Sequence, residues 1–326
     1  MTTSDRPAEI VAVQTAPLAE AHVRGVTVAR DARFAQNTQR GYGRAWARFQ
    51  AWARRNGYPC DLRVAPLRPD VIAAYLAASS LGTSSLRVAL ASIAAASGRA
   101  WPAEPLPTKA PLVSDVMRGL VRTRGQPPRK AEALLAHQVA AIIGAARGLA
   151  ERAMFAAAFS GAFRRSELVA IRRADLAFEP EGIDVLIPRS KGDQGGAGQR
   201  VFLARNSRVP EICPVSAVGA WIDVAPASEW LFPGRRGAHK SADAFVRALQ
   251  GAAAKAGMTG RFSGHSLRRG HVTQARLDGR ELDAIQRQTR HRNLATLLGY
   301  LGDVDRKVSS SSADLGASGR PGETDP

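Results

Sequence analysis

A break in the helical pattern near residue 127 constrains the fold of this chain most strongly. Apolar residues recur at helical spacing on both sides of residues 124–130, but this stretch reads RGQPPRK, with two adjacent prolines and three positive charges. Proline lacks the amide hydrogen of a helical residue and restricts the residue before it, so a helix cannot continue through this stretch. We therefore predict a linker over residues 125–133 that joins two domains.

The residues before the linker predict an all-helical domain over 33–124. Aromatic residues recur at helical spacing from Thr38 onwards, at Tyr42, Trp46 and Phe49. Three further amphipathic helices are predicted over 69–78, 85–96 and 111–123. Residues 1–32 show no sustained period, so we expect a flexible arm there.

The residues after the linker predict a mixed domain over 134–306. Two β-type runs, at 185–187 and 201–203, flank a glycine-rich stretch over 189–198, which is typical of a hairpin. Helices are expected around it, at about 134–147, 150–162, 165–172, 214–224, 241–256, 265–277, 281–288 and 294–301. Residues 307–326 include four consecutive serines and are expected to be a disordered tail. The fold class is therefore mainly α with a small β-sheet (α+β).

The charge of the chain indicates a polyanionic partner. Lys and Arg number 46 against 28 Asp and Glu, and 40 of the 46 are arginines, whose forks match phosphate oxygens. Arg40, Arg44 and Arg48 follow one another at intervals of four on one face of a predicted helix. This stripe suits a phosphate backbone and also suits an ordinary solvated face, and a compositional bias towards Arg and Ala is the alternative source of the charge.

Several classes of protein are disfavoured. Two cysteines cannot form a disulfide scaffold or a cysteine-based zinc site, and no run of 18 apolar residues is present, so we expect a cytoplasmic protein without a membrane span. The sequence has no GxxxxGK[ST] loop and no cluster of metal-ligand spacing, which disfavours an NTPase and a two-metal nuclease. Phosphate chemistry without a metal needs a nucleophile, donors for the phosphoryl oxygens and a proton for the leaving group.

Three short motifs after the linker carry residues of these types. Residues 160–168 place Arg164 between two predicted helices, with Glu167 three positions later. His265 and Arg268 are three apart, and therefore share one helical face. His291 is followed nine positions later by Tyr300, which is the only tyrosine after residue 75.

The motifs of this domain, taken in chain order, resemble the catalytic domain of the tyrosine recombinase (phage integrase) family. They are G-x-x-R-x-S-E-L, a lysine in the hairpin, H-x-x-R and H-x8-Y. The resemblance covers about residues 34–305. It implies a helical core-binding (SAM-like) domain over 33–124 and a catalytic domain over 134–306. It also implies a DNA strand transferase that acts as a tetramer on double-stranded DNA with specific recombination sites, without metal, ATP or another cofactor.

The resemblance assigns a role to each motif residue. Tyr300 is implied to be the nucleophile that forms a 3′-phosphotyrosyl link and frees a 5′-hydroxyl, and the phenol needs help from neighbouring groups because its usual pKa is near 10. The other implied roles are phosphate-oxygen donors (Arg164, Arg268 and His291), the base or proton shuttle (His265), a brace for the site (Glu167) and the proton donor to the departing oxygen (Lys191). Because this chain uses arginine for most of its cations, a lysine in the hairpin fits a role that requires an exchangeable proton.

Some positions depart from the family pattern or leave a choice. Arg290 stands where the family usually has glycine before its second histidine, and Gly299 precedes the nucleophile. Arg165 is adjacent to Arg164, although the spacing to 166–168 favours Arg164. His271 has no role in the family pattern.

The expected DNA contacts are basic side chains of the helical domain and the linker, and helices 85–96 and 241–255 are expected to read bases. The side chains are Arg40, Arg44, Arg48, Arg87, Arg129 and Lys130. Three alternatives stay open: a type IB topoisomerase, which relaxes DNA without a defined site; a non-catalytic DNA-binding regulator of the same fold; and a basic DNA-packaging protein. The core-binding domain disfavours the first, the full set of site residues disfavours the second, and the motifs disfavour the third.

Overall fold

The computed structural model describes residues 20–32, 36–126, 131–188, 198–291 and 293–301. The chain divides into two compact units between Pro128 and Arg129, a point that lies inside the predicted linker. The exact bounds of the predicted domains stay a prediction. The predicted DNA contacts Arg129 and Lys130, the predicted proton donor Lys191 and the predicted tail over 307–326 lie outside the described residues.

The described part of the first unit is helical. Its helices are α1 (Glu20–Ala32), α2 (Gln36–Arg55), α3 (Pro69–Ala78), α4 (Thr83–Ala100) and α5 (Pro111–Arg124). Proline is the first residue of α3 and of α5, where its missing amide hydrogen has no helical partner to lose. The core of this unit is formed by α2 to α5 and includes Phe49, Ile72, Leu76, Leu86 and Ile93.

Residues 20–32 of the predicted flexible arm form helix α1, residues 1–19 lie outside the described ranges, and the flexibility of the arm stays a prediction. Helix α1 contains an ion pair between Glu20 and Arg24 at i and i+4, where Arg24 Nη1 lies 3.1 Å from Glu20 Oε2. Val26 and Val28 of this helix are exposed. The apolar side chains of α1 that the structure describes are exposed, and the sequence shows no amphipathic period that would predict the helix.

The arginine stripe lies on the surface of α2. Arg40, Arg44 and Arg48 are exposed, whereas Ala45 and Phe49 of the same helix are buried. Arg87 on α4 is exposed as well. The positions of these four side chains are compatible with the predicted contact with DNA, which stays a prediction.

The second unit combines helices with one small sheet. Its helices are α6 (Ala136–Gly144), α7 (Leu149–Ser160), α8 (Arg165–Val169), α9 (Pro214–Ile222), α10 (Ala242–Lys255), α11 (Ser266–Leu277), α12 (Leu282–Thr289) and α13 (Leu294–Leu301). Helix α7 lies at the centre, because every residue from Ala153 to Phe159 is buried. Within the described ranges, no helix is both long and apolar enough to cross a membrane.

The sheet confirms the predicted fold class and adds a strand. Strands β1 (Leu176–Glu179), β2 (Gly182–Ile187) and β3 (Gln199–Ala204) are antiparallel in the order β1-β2-β3. The predicted hairpin strands pair from Ile187 with Gln199 to Gly182 with Ala204. Strand β1 was not predicted, because it is four residues long and mostly exposed, which leaves no readable alternation.

Helices α11 and α13, which carry Arg268 and Tyr300, pack together with α12. Val272 of α11, Ile285 of α12, and Leu297 and Leu301 of α13 form a small buried cluster. Asn293 begins α13, since its side-chain oxygen accepts a hydrogen bond from the amide of Ala295 at 2.7 Å. The last two motifs are thereby joined to the same buried cluster.

Gly270 allows α11 to contact the first residues of the second unit. A Cβ atom on Gly270 would overlap the carbonyl oxygen of Leu134, whose amide donates a hydrogen bond to Ser266 O at 3.2 Å. We predict that Gly270→Ala lowers the free energy of unfolding by about 1 to 3 kcal/mol, because backbone atoms must move apart. Gly251→Ala is the matched control in α10, where a Cβ meets no atom within 4 Å and a small gain is expected. Equal effects of the two substitutions in chemical denaturation would contradict this account.

Candidate active site

The turn between α7 and α8 gathers two arginines from distant parts of the chain. Gly161 is required here, because a Cβ atom would overlap the ring of Phe163. Ala162 has a left-handed backbone with φ of 45°. The carbonyl of Ala162 accepts a hydrogen bond from Arg268 Nη1 at 2.5 Å, and the carbonyl of Gly161 accepts one from Arg290 Nη1 at 3.4 Å. This turn therefore fixes the guanidinium groups of α11 and of the end of α12.

Arg268 is a buried side chain that joins three elements. It is 1% exposed, and its guanidinium connects the turn before α8 with the end of α12. Its Nη2 donates to the carbonyl of Thr289 and lies 3.2 Å from His291 Nε2. The H-x-x-R arginine is thus held next to the second predicted histidine.

The hydrogen bonds of His291 define its protonated nitrogen. Thr289 Oγ1 donates its proton to the carbonyl of Ile285 at 2.7 Å, so it accepts from His291 Nδ1, which lies 2.7 Å away. His291 Nε2 is therefore the acceptor that faces Arg268. Gln286 holds the backbone of His291, because its side-chain amide donates to the carbonyl of His291 at 2.9 Å. The imidazole is neutral and has a fixed orientation.

Glu167 is a buried carboxylate shared by two arginines. Its Oε1 accepts from Arg164 Nη1 at 2.5 Å, and its Oε2 accepts from Arg290 Nη2 at 2.8 Å. Oε2 also accepts from the backbone amide of Arg164 at 2.9 Å, which caps the first turn of α8. The G-x-x-R-x-S-E-L motif thus places a carboxylate under the guanidinium of Arg164.

Burial and charge shift the titration of this cluster. Burial alone raises the pKa of Glu167, but the charges of Arg290 and Arg164 and the hydrogen bonds from Arg164 outweigh it, so this pKa lies below its usual value. Burial lowers the pKa of His291 to about 4, and the charges of Arg268, Arg164 and Arg290 act in the same direction. The carboxylate is therefore ionised and the imidazole neutral at pH 7.

Of the two adjacent arginines, Arg164 joins the cluster. Its side chain is 21% exposed and pairs with Glu167. The side chain of Arg165 is 51% exposed and lies 3.3 Å from Asp243 Oδ1 at the start of α10. The geometry favours Arg164 for the predicted role, as the spacing does.

His265 and His271 lie three positions before and three positions after Arg268, and they differ in exposure. His265 precedes α11 and is exposed, and its backbone amide donates a hydrogen bond to Ser263 Oγ at 3.2 Å. His271 packs edge-on against Phe159, with ring centroids 6.0 Å apart, and burial lowers its pKa to about 4. The exposed histidine is thus the one placed to exchange protons with solvent or a substrate.

The backbone of Tyr300 lies in α13, and the description does not extend to its side chain. Leu297 and Leu301 hold this helix against α11 and α12, which carry Arg268 and end next to His291. Lys191 lies outside the described residues. The structure therefore brings together Arg164, Glu167, Arg268 and His291, and positions the helix of Tyr300 beside them.

Sequence reasoning missed the residues that fix the cluster. Thr289 and Gln286 orient His291, and the carbonyls of Gly161 and Ala162 anchor two arginines. These contacts involve backbone atoms or ordinary helical polar residues, so no sequence pattern marks them. For Arg290 the sequence did give a signal, because arginine stands where the family usually has glycine.

The cluster is chemically suited to hold an anion. Three guanidinium charges, of Arg164, Arg268 and Arg290, stand against one carboxylate charge of Glu167, which leaves two positive charges among these described side chains. A phosphodiester carries one negative charge and gains a second as a nucleophile attacks it. Within the described ranges, no group of three or more His, Cys, Asp or Glu residues is arranged to hold a metal ion.

Comparisons with known proteins agree on one family. The family model described as "Phage integrase family" matches residues 132–305. An "Integrase/recombinase xerD homolog" of Selenomonas ruminantium is 32% identical over 277 residues, which cover 79% of each chain.

Two solved structures share the fold at low identity. A lambda integrase tetramer bound to a Holliday junction has a TM-score of 0.61 and 15% identity, over 87% of this chain and 77% of that chain. The integrase of transposon Tn1549 in complex with transposon right-end DNA has a TM-score of 0.60 and 15% identity, over 87% of this chain and 96% of that chain.

The neutral state of His291 makes stability depend on pH. An unfolded histidine takes up a proton near pH 6.5, whereas the folded one does so only near pH 4, so its contribution is complete above pH 6.5 and is lost as the pH falls towards 4. We predict that the difference in unfolding free energy between wild type and His291→Gln shrinks by up to about 3 kcal/mol over this interval. Urea denaturation at a series of pH values measures it. A difference that stays constant from pH 7.5 to 4.5 would refute the neutral, buried imidazole.

Proposed function

The chain belongs to the phage integrase family, and on this premise we propose that it is a tyrosine site-specific recombinase, a DNA strand transferase that cuts and rejoins DNA in the cytoplasm. The main support for the proposal is the cluster of buried Glu167, Arg268 and His291 with the partly exposed Arg164. It combines an excess of positive charge with fixed donors, and it lies beside the helix that contains Tyr300.

The proposed cleavage step exchanges one phosphodiester for another. The oxygen of Tyr300 attacks the scissile phosphorus, a phosphotyrosyl bond forms at the 3′ end, and the bond from phosphorus to the 5′ oxygen breaks. His265 accepts the phenol proton, and its exposed position allows it to do so. Lys191 donates a proton to the departing 5′ oxygen. Rejoining runs the same step backwards with a 5′-hydroxyl of the partner strand, so neither ATP nor a metal is needed to conserve the bond.

Arg164 and Arg268 are proposed to bind the nonbridging oxygens. Their guanidinium groups are held by protein acceptors before DNA arrives, which is the condition for electrostatic stabilisation of a transition state without reorganisation. Glu167 braces Arg164 by accepting from both its side chain and its amide.

His291 requires a change of protonation to act as a donor. In the free protein its proton is on Nδ1, and Nε2 accepts from Arg268. A phosphate that binds next to Arg268 brings negative charge, which raises the pKa of the imidazole and favours a proton on Nε2. The same event redirects an N–H group of Arg268 from the imidazole to the phosphate.

Binding of the DNA duplex is proposed to use the arginines of the first unit and the linker. Exposed Arg40, Arg44, Arg48 and Arg87 supply positive charge there, which supports this proposal, and Arg129 and Lys130 are assigned to it from the sequence. The lambda integrase in the comparison is a tetramer on a Holliday junction, and we propose the same assembly for this chain on paired specific sites. Affinity should fall steeply as salt rises.

A covalent-trapping assay tests the proposed function. The substrate is a library of labelled duplexes with a randomised centre and nicks at successive positions across it, so that cleavage within a few nucleotides of a nick releases a short 5′-hydroxyl fragment and the adduct accumulates. We predict that wild type in EDTA forms an adduct that resists SDS and is removed by protease. Tyr300→Phe should lower its yield by at least about 1,000-fold, because it lacks the attacking oxygen.

Tyr58→Phe is the matched control, since Tyr58 is an exposed tyrosine of the first unit, and its adduct yield should equal that of wild type. Sequencing the trapped strands would define the recognition site. Relaxation of plasmids that lack this sequence would indicate a topoisomerase. Binding of DNA without any adduct would indicate a regulator, and an adduct formed by Tyr300→Phe would exclude this nucleophile.

A further inference from the structure

Arg290 occupies a backbone position that disfavours its side chain. It ends α12 with φ of 57° and ψ of 41°, the left-handed region in which glycine is preferred. The tyrosine recombinase family usually has glycine here. A side chain with a Cβ atom at such a position has to make contacts that offset the backbone strain.

The side chain of Arg290 makes several contacts inside the protein. The residue is 8% exposed, and its guanidinium lies over the ring of Phe163, with 5.3 Å between the guanidinium carbon and the ring centroid. Nη1 donates to the carbonyls of Gln288 at 3.0 Å and Gly161 at 3.4 Å, and Nη2 donates to Glu167 Oε2 at 2.8 Å. Arg290 thus ties the end of α12 to the turn before α8.

Glu167 transmits this contact to Arg164. One carboxylate oxygen accepts from Arg290, and the other accepts from Arg164 at 2.5 Å. The carboxylate therefore stands between a guanidinium that has no place in the proposed chemistry and one that binds the scissile phosphate. Any shift of Glu167 moves the partner of Arg164.

We propose that Arg290 is a positioning residue for strand cleavage, which holds the Glu167 carboxylate so that Glu167 in turn orients Arg164 towards the phosphate. The inference rests on the proposed function, because it concerns the same reaction. Arg290 also immediately precedes His291, so the contacts that fix Arg290 fix the backbone from which His291 extends.

The pKa of Glu167 after removal of Arg290 depends on its remaining charged neighbours. Arg290 from the end of α12 and Arg164, which immediately precedes α8, lower the pKa of Glu167, and burial acts against both. Arg268 of α11 and the neutral His291 complete the cluster, and Asp243 of α10 pairs with Arg165 on the outer side of α8. Without Arg290, burial is opposed by Arg164 alone, so the carboxylate takes up a proton at a higher pH.

The first arm of the test measures single-turnover cleavage of the trapped substrate between pH 5.5 and 8. Arg290→Gly, which suits the backbone, should slow cleavage at pH 7.5 by about 10- to 100-fold, because Arg164 is misplaced. The ratio of the rates at pH 7.5 and 5.5 should exceed that of wild type by at least about threefold, because protonated Glu167 loses its charge-assisted bond to Arg164. In a Glu167→Gln background the same substitution should leave this ratio unchanged.

Two further variants separate positioning from folding. Arg290→Lys keeps a positive charge near Glu167 without the fork, so its rate should lie between those of wild type and Arg290→Gly, with a pH profile close to wild type. Arg287→Ala is the matched control on α12, since Arg287 is exposed and pairs with Asp283 at the surface, and its cleavage should equal that of wild type. Identical pH ratios for wild type and Arg290→Gly would overturn the proposal.

The second arm does not depend on activity. The melting temperature of Arg290→Gly should be lower than that of wild type, and this shortfall should be largest at pH 7.5 and smaller at pH 4.5. The shortfall decreases because protonated Glu167 carries no charge for Arg290 to stabilise. In the Glu167→Gln background the shortfall should vary less with pH, with a remainder from His291, whose pKa Arg290 also lowers. Equal variation in both backgrounds, or a pH-independent shortfall in both, would overturn the coupling of Arg290 to Glu167. A wild-type protein that never forms the adduct, but shows the predicted melting behaviour, would refute the proposed function and leave the coupling intact.

Discussion

A single buried carboxylate organises the candidate site. Ionised groups are taken out of water at a high cost unless opposite charges and hydrogen bonds surround them, so the position of Glu167 is tied to those of Arg164 and Arg290. The turn that precedes α8 provides the second anchor, because its two carbonyls accept from Arg268 and Arg290. Helices α8, α11 and α12 therefore meet at one network, and removal of any member leaves a buried charge or carbonyl unpaired.

The same network explains why the site suits the transition state of phosphoryl transfer. Its excess of positive charge is fixed before substrate binds, so little reorganisation is required when negative charge develops. The neutral His291 accepts from Arg268 in the free protein, and in the proposed reaction an approaching phosphate raises the pKa of the imidazole so that it can donate a proton. Stability and function are thus linked, because the bonds that hold the cluster without DNA are the ones that a phosphate would replace.

Sequence patterns predicted the helices and strands that have a regular hydrophobic period and the residues that belong to motifs. Helical periods located α2 to α13, and alternating apolar residues located β2 and β3, whereas α1 and β1 were missed because their exposed residues form no period. The motif spacings selected Arg164, Arg268 and His291, which the structure brings together. The roles of Thr289, Gln286 and the 161–162 carbonyls depend on contacts between distant segments, which no local pattern encodes. Arg290 was visible as an exception, but only its bond to Glu167 shows what it contacts.

In the proposed reaction Arg164 supplies charge to the phosphate rather than to the fold alone. The most direct measurement compares Arg164→Ala with wild type on two duplexes, one with a normal scissile phosphate and one with a neutral methylphosphonate in its place. We expect the variant to be at least about 100-fold slower than wild type on the phosphodiester and within about tenfold of it on the methylphosphonate, where no second negative charge develops. An equally large defect on both duplexes would contradict this role of Arg164.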